Sequence, residues 1–158
     1  MNGTEVHATT LEMQLNRPFY GCTLPFDINK GDFIEITADG EGRWDNYFVG
    51  TPNEFVTPQG VRWTPAEMNK WNLPEQFLVR NAPIASLIGV IGPNPTWDEE
   101  ECETIVRNGS RHFGIGKHVI VKAPCDGKLS LGMNERWRPG AWNDNSGTWT
   151  ISVKVTRP

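Results

Sequence analysis

The stretch Asn134-Glu-Arg-Trp-Arg-Pro-Gly-Ala-Trp-Asn-Asp-Asn-Ser-Gly147 concentrates hard oxygen donors in a short space. Glu135 and Asp144 offer carboxylates, Asn145 an amide oxygen, and the Pro139-Gly140 turn exposes main-chain carbonyls. Carboxylate, amide and peptide oxygens together are the donor set that Ca²⁺ prefers. Zinc or copper would call for His and Cys, and this stretch has neither. The same residue types also serve ordinary turn chemistry, so the flanks decide how much weight the cluster bears. Both flanks read as strands. Leu129 to Met133 is an apolar run, and Thr148 to Val155 alternates β-formers with period two.

Such a loop needs a rigid frame, and the rest of the chain reads as strands and turns. Seven Trp, 16 Gly and 12 Pro interrupt short apolar runs, and no window keeps the i, i+3, i+4, i+7 spacing of a helix for three turns. Strands are expected at Thr9 to Leu15, Cys22 to Ile28, Phe33 to Ala38, Phe77 to Val79, Ala85 to Ile91 and Gly116 to Ala123. In Phe33 to Ala38, Ile34, Ile36 and Ala38 fall on one side and Phe33, Glu35 and Thr37 on the other. Asp39 to Glu75 reads as a long loop broken by glycine and proline, with a helical turn from Pro65 to Lys70. Asp126-Gly127 reads as a hairpin turn that returns Lys128 to Met133 antiparallel to the preceding strand. Many strands without intervening helices predict an all-β fold, a jelly-roll-like β-sandwich of two antiparallel sheets. At 158 residues, one domain spanning 1–158 is expected.

Composition removes several functions. Fifteen Lys plus Arg against 19 Asp plus Glu give a net charge of −4, without the basic runs that a nucleic-acid backbone requires. No apolar run approaches the roughly 18 residues of a membrane span, so membrane insertion is not expected. The first residues lack the basic start and apolar core of a secretory signal. The expected location is the cytoplasm at synthesis, with release to the extracellular space compatible with it. Cys22, Cys102 and Cys125 match neither a disulfide framework nor a zinc ribbon and read mostly as free thiols.

Taken in order, several strings resemble the LecA-type bacterial galactose-binding lectins and the β-sandwich modules that share their C-terminal motif. These are Gly31-Asp-Phe-Ile-Glu-Ile36, Ala82-Pro-Ile-Ala-Ser-Leu-Ile-Gly89, His112-Phe-Gly-Ile-Gly116 and, most specific, Asp144-Asn145-Ser146-Gly147. The resemblance implies a galactose-binding-domain-like sandwich that binds one Ca²⁺, whose coordination is completed by sugar hydroxyls. Transferred by position, it implies metal ligation by the side chains of Glu135, Asp144 and Asn145 and by the carbonyls of Trp44 and Ala141. It further implies sugar contacts from Gln76, Glu135 and Asp144. Departures exist: Glu135 stands where the family has Asp, the stretch from Glu135 to Asp144 is longer, and Leu73 falls where galactose binders have His. Pro93 to Ser110, with its acidic run from Asp98 to Glu101, has no counterpart in the shorter lectins.

Trp137 and Trp142 lie inside the loop, where an indole face can stack on the apolar side of a sugar ring or bury itself in the core. Trp149, within a strand, is a core residue by its position. Catalysis has weaker candidates. Cys125 with His112 or His118 lacks the rest of a nucleophilic site, and Asp27, Glu35 and Asp39 read as solvent-facing charges before they read as a glycosidase acid and base. The expected function is that of a non-enzymatic, calcium-dependent lectin for galactose or a related hexose. The alternative is a calcium-stabilised interaction or accessory module without sugar binding. The related lectins are oligomeric, and a homo-oligomer would raise avidity here too.

Overall fold

The computed structural model describes residues 3–16, 22–46, 51–61, 79, 82–92, 111–135 and 145–158. They form eight strands: β1 (Thr4–Gln14), β2 (Phe33–Asn46), β3 (Thr51–Val56), β4 (Leu87–Gly92), β5 (Arg111–Gly114), β6 (His118–Lys122), β7 (Lys128–Met133) and β8 (Ser146–Arg157). The first sheet runs β1-β8-β2-β3, with β6 also on β2, and the second runs β5-β4-β7. Every pairing is antiparallel. The molecule is therefore an all-β sandwich of two antiparallel sheets, and among the described residues no helix is long and apolar enough to cross a membrane.

The alternation in the sequence explains which face each strand buries. Ile34, Ile36 and Ala38 of β2 and Trp149, Ile151, Val153 and Val155 of β8 are at most 3% exposed, while Thr37, Thr150, Ser152 and Lys154 face solvent. The second sheet supplies Leu87, Ile88, Ile91, Leu129, Leu131 and Met133, all at 0%. Each fully buried aliphatic side chain of this kind contributes about 1.5–3 kcal/mol, so the sheet-to-sheet core is the main source of stability.

Three expectations about the chain change. Cys22 to Ile28 is not a strand: its backbone pairing is limited to the isolated bridges Thr23–Ser130 and Ile28–Gly127, and Pro25 between them has no N–H to continue a ladder. Asp39 to Glu75 is not loop throughout, since β2 continues to Asn46 and β3 occupies Thr51–Val56. Asp126-Gly127 does not close a hairpin, because β6 pairs with β2 in one sheet and β7 with β4 in the other. Gly127 exchanges its main-chain hydrogen bonds with Ile28, at 2.8 and 3.0 Å, and Asp126 Oδ1 accepts from the Lys30 N–H. The dipeptide thus carries the chain across from sheet to sheet. The expected strand at Phe77 to Val79 and the turn at Pro65 to Lys70 fall largely or wholly outside the described residues, as does Pro93 to Ser110.

An ion pair between a buried aspartate and a half-buried arginine ties the last strand down. Arg157 Nε and Nη2 donate to the two carboxylate oxygens of Asp32 at 3.0 and 2.9 Å, and the Asn29 N–H donates to Oδ2 at 2.9 Å. The hydrogen bond from Arg157, more than any other cause, holds the Asp32 carboxyl below its usual range. A carboxyl depressed in the folded state contributes stability that is present above its unfolded value of about 3.9 and is lost as pH falls through the folded one. Stability measured by urea unfolding is therefore expected to drop as pH falls below about 4. Asp32→Asn, which leaves Arg157 without its counter-charge, is expected to cost about 2–3 kcal/mol at neutral pH and to flatten that acid limb.

Candidate functional site

The ladder between β2 and β8 stops at the pair Arg43–Ser146. Continuing its register by one step sets Trp44 opposite Asn145, on the face that Ile36 and Ile151 bury in the core. β7 ends at Met133 in the other sheet, and Asn134 and Glu135 follow at once. Trp44, Glu135 and Asn145 thus meet at one end of the sandwich, where the two sheets come together. All three are buried, at 4%, 2% and 4% exposure.

Their contacts converge on one atom. Glu135 Oε2 accepts the Trp44 indole N–H at 2.9 Å and an Asn145 amide N–H at 3.3 Å. The same Asn145 nitrogen lies 3.2 Å from the Leu15 carbonyl and 3.4 Å from the Met133 sulfur, so acceptors surround it and Oδ1 occupies the other side of the amide. The resemblance assigns Trp44 a role through its carbonyl; what the structure shows is its indole N–H gripping the Glu135 carboxylate. Burying a carboxylate is costly, and these two N–H groups offset part of that cost. Gln76, Trp137, Ala141, Trp142 and Asp144, with Leu73, lie outside the described residues.

Asn134 was not singled out from the sequence. It is fully buried, its Oδ1 accepts from the Val79 N–H at 2.9 Å, and its Nδ2 donates to the carbonyls of Val79, Ala82 and Pro83 at 2.9, 3.2 and 3.1 Å. Its main-chain carbonyl accepts from the Ala85 N–H at 2.9 Å, which helps hold Ala85 at φ 62°, a conformation costly for a side chain with a Cβ. The residue before Glu135 therefore fastens the Val79–Ala85 segment, which follows Gln76, to the end of β7. The only sequence signal was its place in the donor-rich stretch; its partners among the described residues are remote in sequence.

The catalytic alternatives gain nothing from the geometry. Glu35 accepts from His118 at 3.0 Å and pairs with Lys154 at 3.5 Å on the outer face of the first sheet. The His118 hydrogen bond, followed among the favourable causes by the Lys154 charge, lowers its pKa, whereas a glycosidase acid needs it raised. Asp27 and Asp39 stand exposed beside Lys128 and Lys117. Among the described cysteines, Cys22 and Cys125 are free thiols; burial pushes Cys22 up to about 11, away from thiolate chemistry, and Cys125 rests its sulfur 3.5 Å from the Ile91 carbonyl.

Comparison with known proteins adds a likeness of fold. No family model matches the chain, and no curated protein matches it. Among solved structures, the chain is similar to the EclA N-terminal domain, described as a PllA-like lectin, with a TM-score of 0.57 and 16% identity over 96% of this chain and 98% of that one. At that identity the likeness establishes the fold alone: this chain has a lectin-like β-sandwich fold.

Proposed function

We propose that this protein is a carbohydrate-binding protein that captures a hexose through a calcium ion held at the end of the sandwich formed by Trp44, Glu135 and Asn145. The observation that carries the reading is the convergence of those three residues, from three separate parts of the chain, on a buried carboxylate. The fold shared with a solved lectin domain supports it. The donor set fits the ion: Glu135, Asp144 and Asn145 would ligate through side chains, and Trp44 and Ala141 through carbonyls. When bound, Ca²⁺ takes about six to eight oxygens, leaving room for two vicinal sugar hydroxyls. Glu135 and Asp144 would also accept hydrogen bonds from those hydroxyls. Gln76, Trp137 and Trp142 would then choose among sugars, by hydrogen bonding at the outer hydroxyls and by stacking on the ring's apolar side.

Calorimetric titration of chelator-treated protein with Ca²⁺, then with galactosides and other hexosides, is the direct test. Calcium heat is expected, followed by sugar heat that vanishes on return of the chelator. Calcium binding with a blank glycan array would instead favour a calcium-stabilised interaction module, recognised by a melting temperature that rises with Ca²⁺ alone. No calcium heat would end the proposal.

A further inference from the structure

Two tryptophans share the buried face of the first sheet and differ in what their indoles hold. Trp149, fully buried in β8, donates its N–H to the Val56 main-chain carbonyl at 3.3 Å. Trp44, buried in β2, donates to the Glu135 carboxylate at 2.9 Å. We propose that the Trp44 indole is the positioning group for Glu135, fixing a glutamate carboxylate where it can ligate calcium; this rests on the calcium reading of the site.

The geometry gives the reason. A glutamate side chain has one more rotatable bond than aspartate, so its carboxylate must be fastened before it can present oxygen to an ion at about 2.3–2.6 Å. Two N–H donors arriving at the same Oε2 supply that fastening, and the direction of the second oxygen follows from the first. The donors reach one atom because the β2–β8 register sets Trp44 and Asn145 opposite each other on the core face. Asn145 alone, at 3.3 Å and with acceptors on Leu15 and Met133 sharing its nitrogen, holds Oε2 less firmly than the indole at 2.9 Å. An aspartate at position 135 would stop one methylene short of this grip, so Trp44 and Glu135 form a matched pair. Outer-shell partners of metal ligands typically govern about 10–100-fold in affinity.

The test compares Trp44→Phe with Trp149→Phe by calcium titration calorimetry on the full chain. Each variant loses one buried indole N–H and some stability, which thermal melts in chelator will show. Trp44→Phe is expected to weaken Ca²⁺ binding about tenfold or more, and Trp149→Phe to leave it within about twofold. Equal effects of the two variants, or none from Trp44→Phe, would overturn the proposal while leaving the calcium reading intact. Absence of calcium heat in the unsubstituted protein would remove both. Should Trp44→Phe fail to fold, indole NMR of the unsubstituted protein decides. The Trp44 Nε1–H resonance is expected to shift on Ca²⁺ addition while that of Trp149 stays, and a Trp44 signal indifferent to the ion overturns the proposal.

Discussion

Glu135→Gln is expected to weaken calcium binding about a hundredfold or more, and sugar binding with it, while leaving the ion-free protein folded. The change keeps size and shape. A glutamine oxygen can still accept from the Trp44 indole and the Asn145 amide, so the contacts at 2.9 and 3.3 Å have a neutral substitute. What disappears is the charge, and affinity in oxygen-ligand calcium sites is tuned over orders of magnitude by ligand charge count. Asp32 provides the contrast. That carboxylate, equally buried, is met by the half-buried Arg157 guanidinium, and its neutralisation removes the counter-charge of that cation. At Glu135, among the described residues, Oε2 accepts from two neutral N–H groups, the Trp44 indole and the Asn145 amide. In chelator, Glu135→Gln is expected to unfold in urea within about 1 kcal/mol of the unsubstituted protein, because glutamine keeps the side chain's size and an oxygen for both of these hydrogen bonds. A loss of several kcal/mol in chelator would mean that Glu135 serves a protein cation and not a metal.

Much of this site was legible because its residues obey local rules. Glu135 and Asn145 stand out as oxygen donors between two strands, and β8 and the first half of β2 follow from alternation alone. The rest depends on partners far along the chain. Gly40 and Gly42 look like loop residues, yet β2 runs straight through them. A Cβ at Gly42 would come within 2.8 Å of the Ser146 carbonyl oxygen, so glycine there answers to a neighbouring strand and not to a turn. Asp126-Gly127 carries the composition of a hairpin turn, but its hydrogen bonds go to Ile28 and Lys30. Among the described residues, the partners of Asn134 lie around positions 79 to 86. That Trp44 and Asn145 would reach one carboxylate was set by the β2–β8 register, and register across about a hundred residues is not written in local pattern.

The same crossing leads to the second large effect. Gly147→Ala is expected to destabilise the protein by about 2–4 kcal/mol and to weaken calcium and sugar binding together. Gly147 adopts φ 92°, outside the range that L side chains tolerate, and an added Cβ would lie 2.8 Å from the Gly42 Cα, a backbone atom that cannot step aside. Its carbonyl accepts from the Leu15 N–H at 3.1 Å, and the Leu15 carbonyl in turn lies 3.2 Å from the Asn145 amide. Prising β8 from β2 at Gly147 therefore disturbs the acceptor that orients Asn145 and, through Asn145, the carboxylate of Glu135. Urea unfolding in chelator measures the first effect and calcium titration the second. A stability loss without any change in calcium affinity would show that the strand crossing and the ligand end are independent. In the string Asp144-Asn145-Ser146-Gly147, then, the glycine's part is in the backbone: it lets two strands approach closely enough for the next residues on their core face, Trp44 and Asn145, to reach the same oxygen.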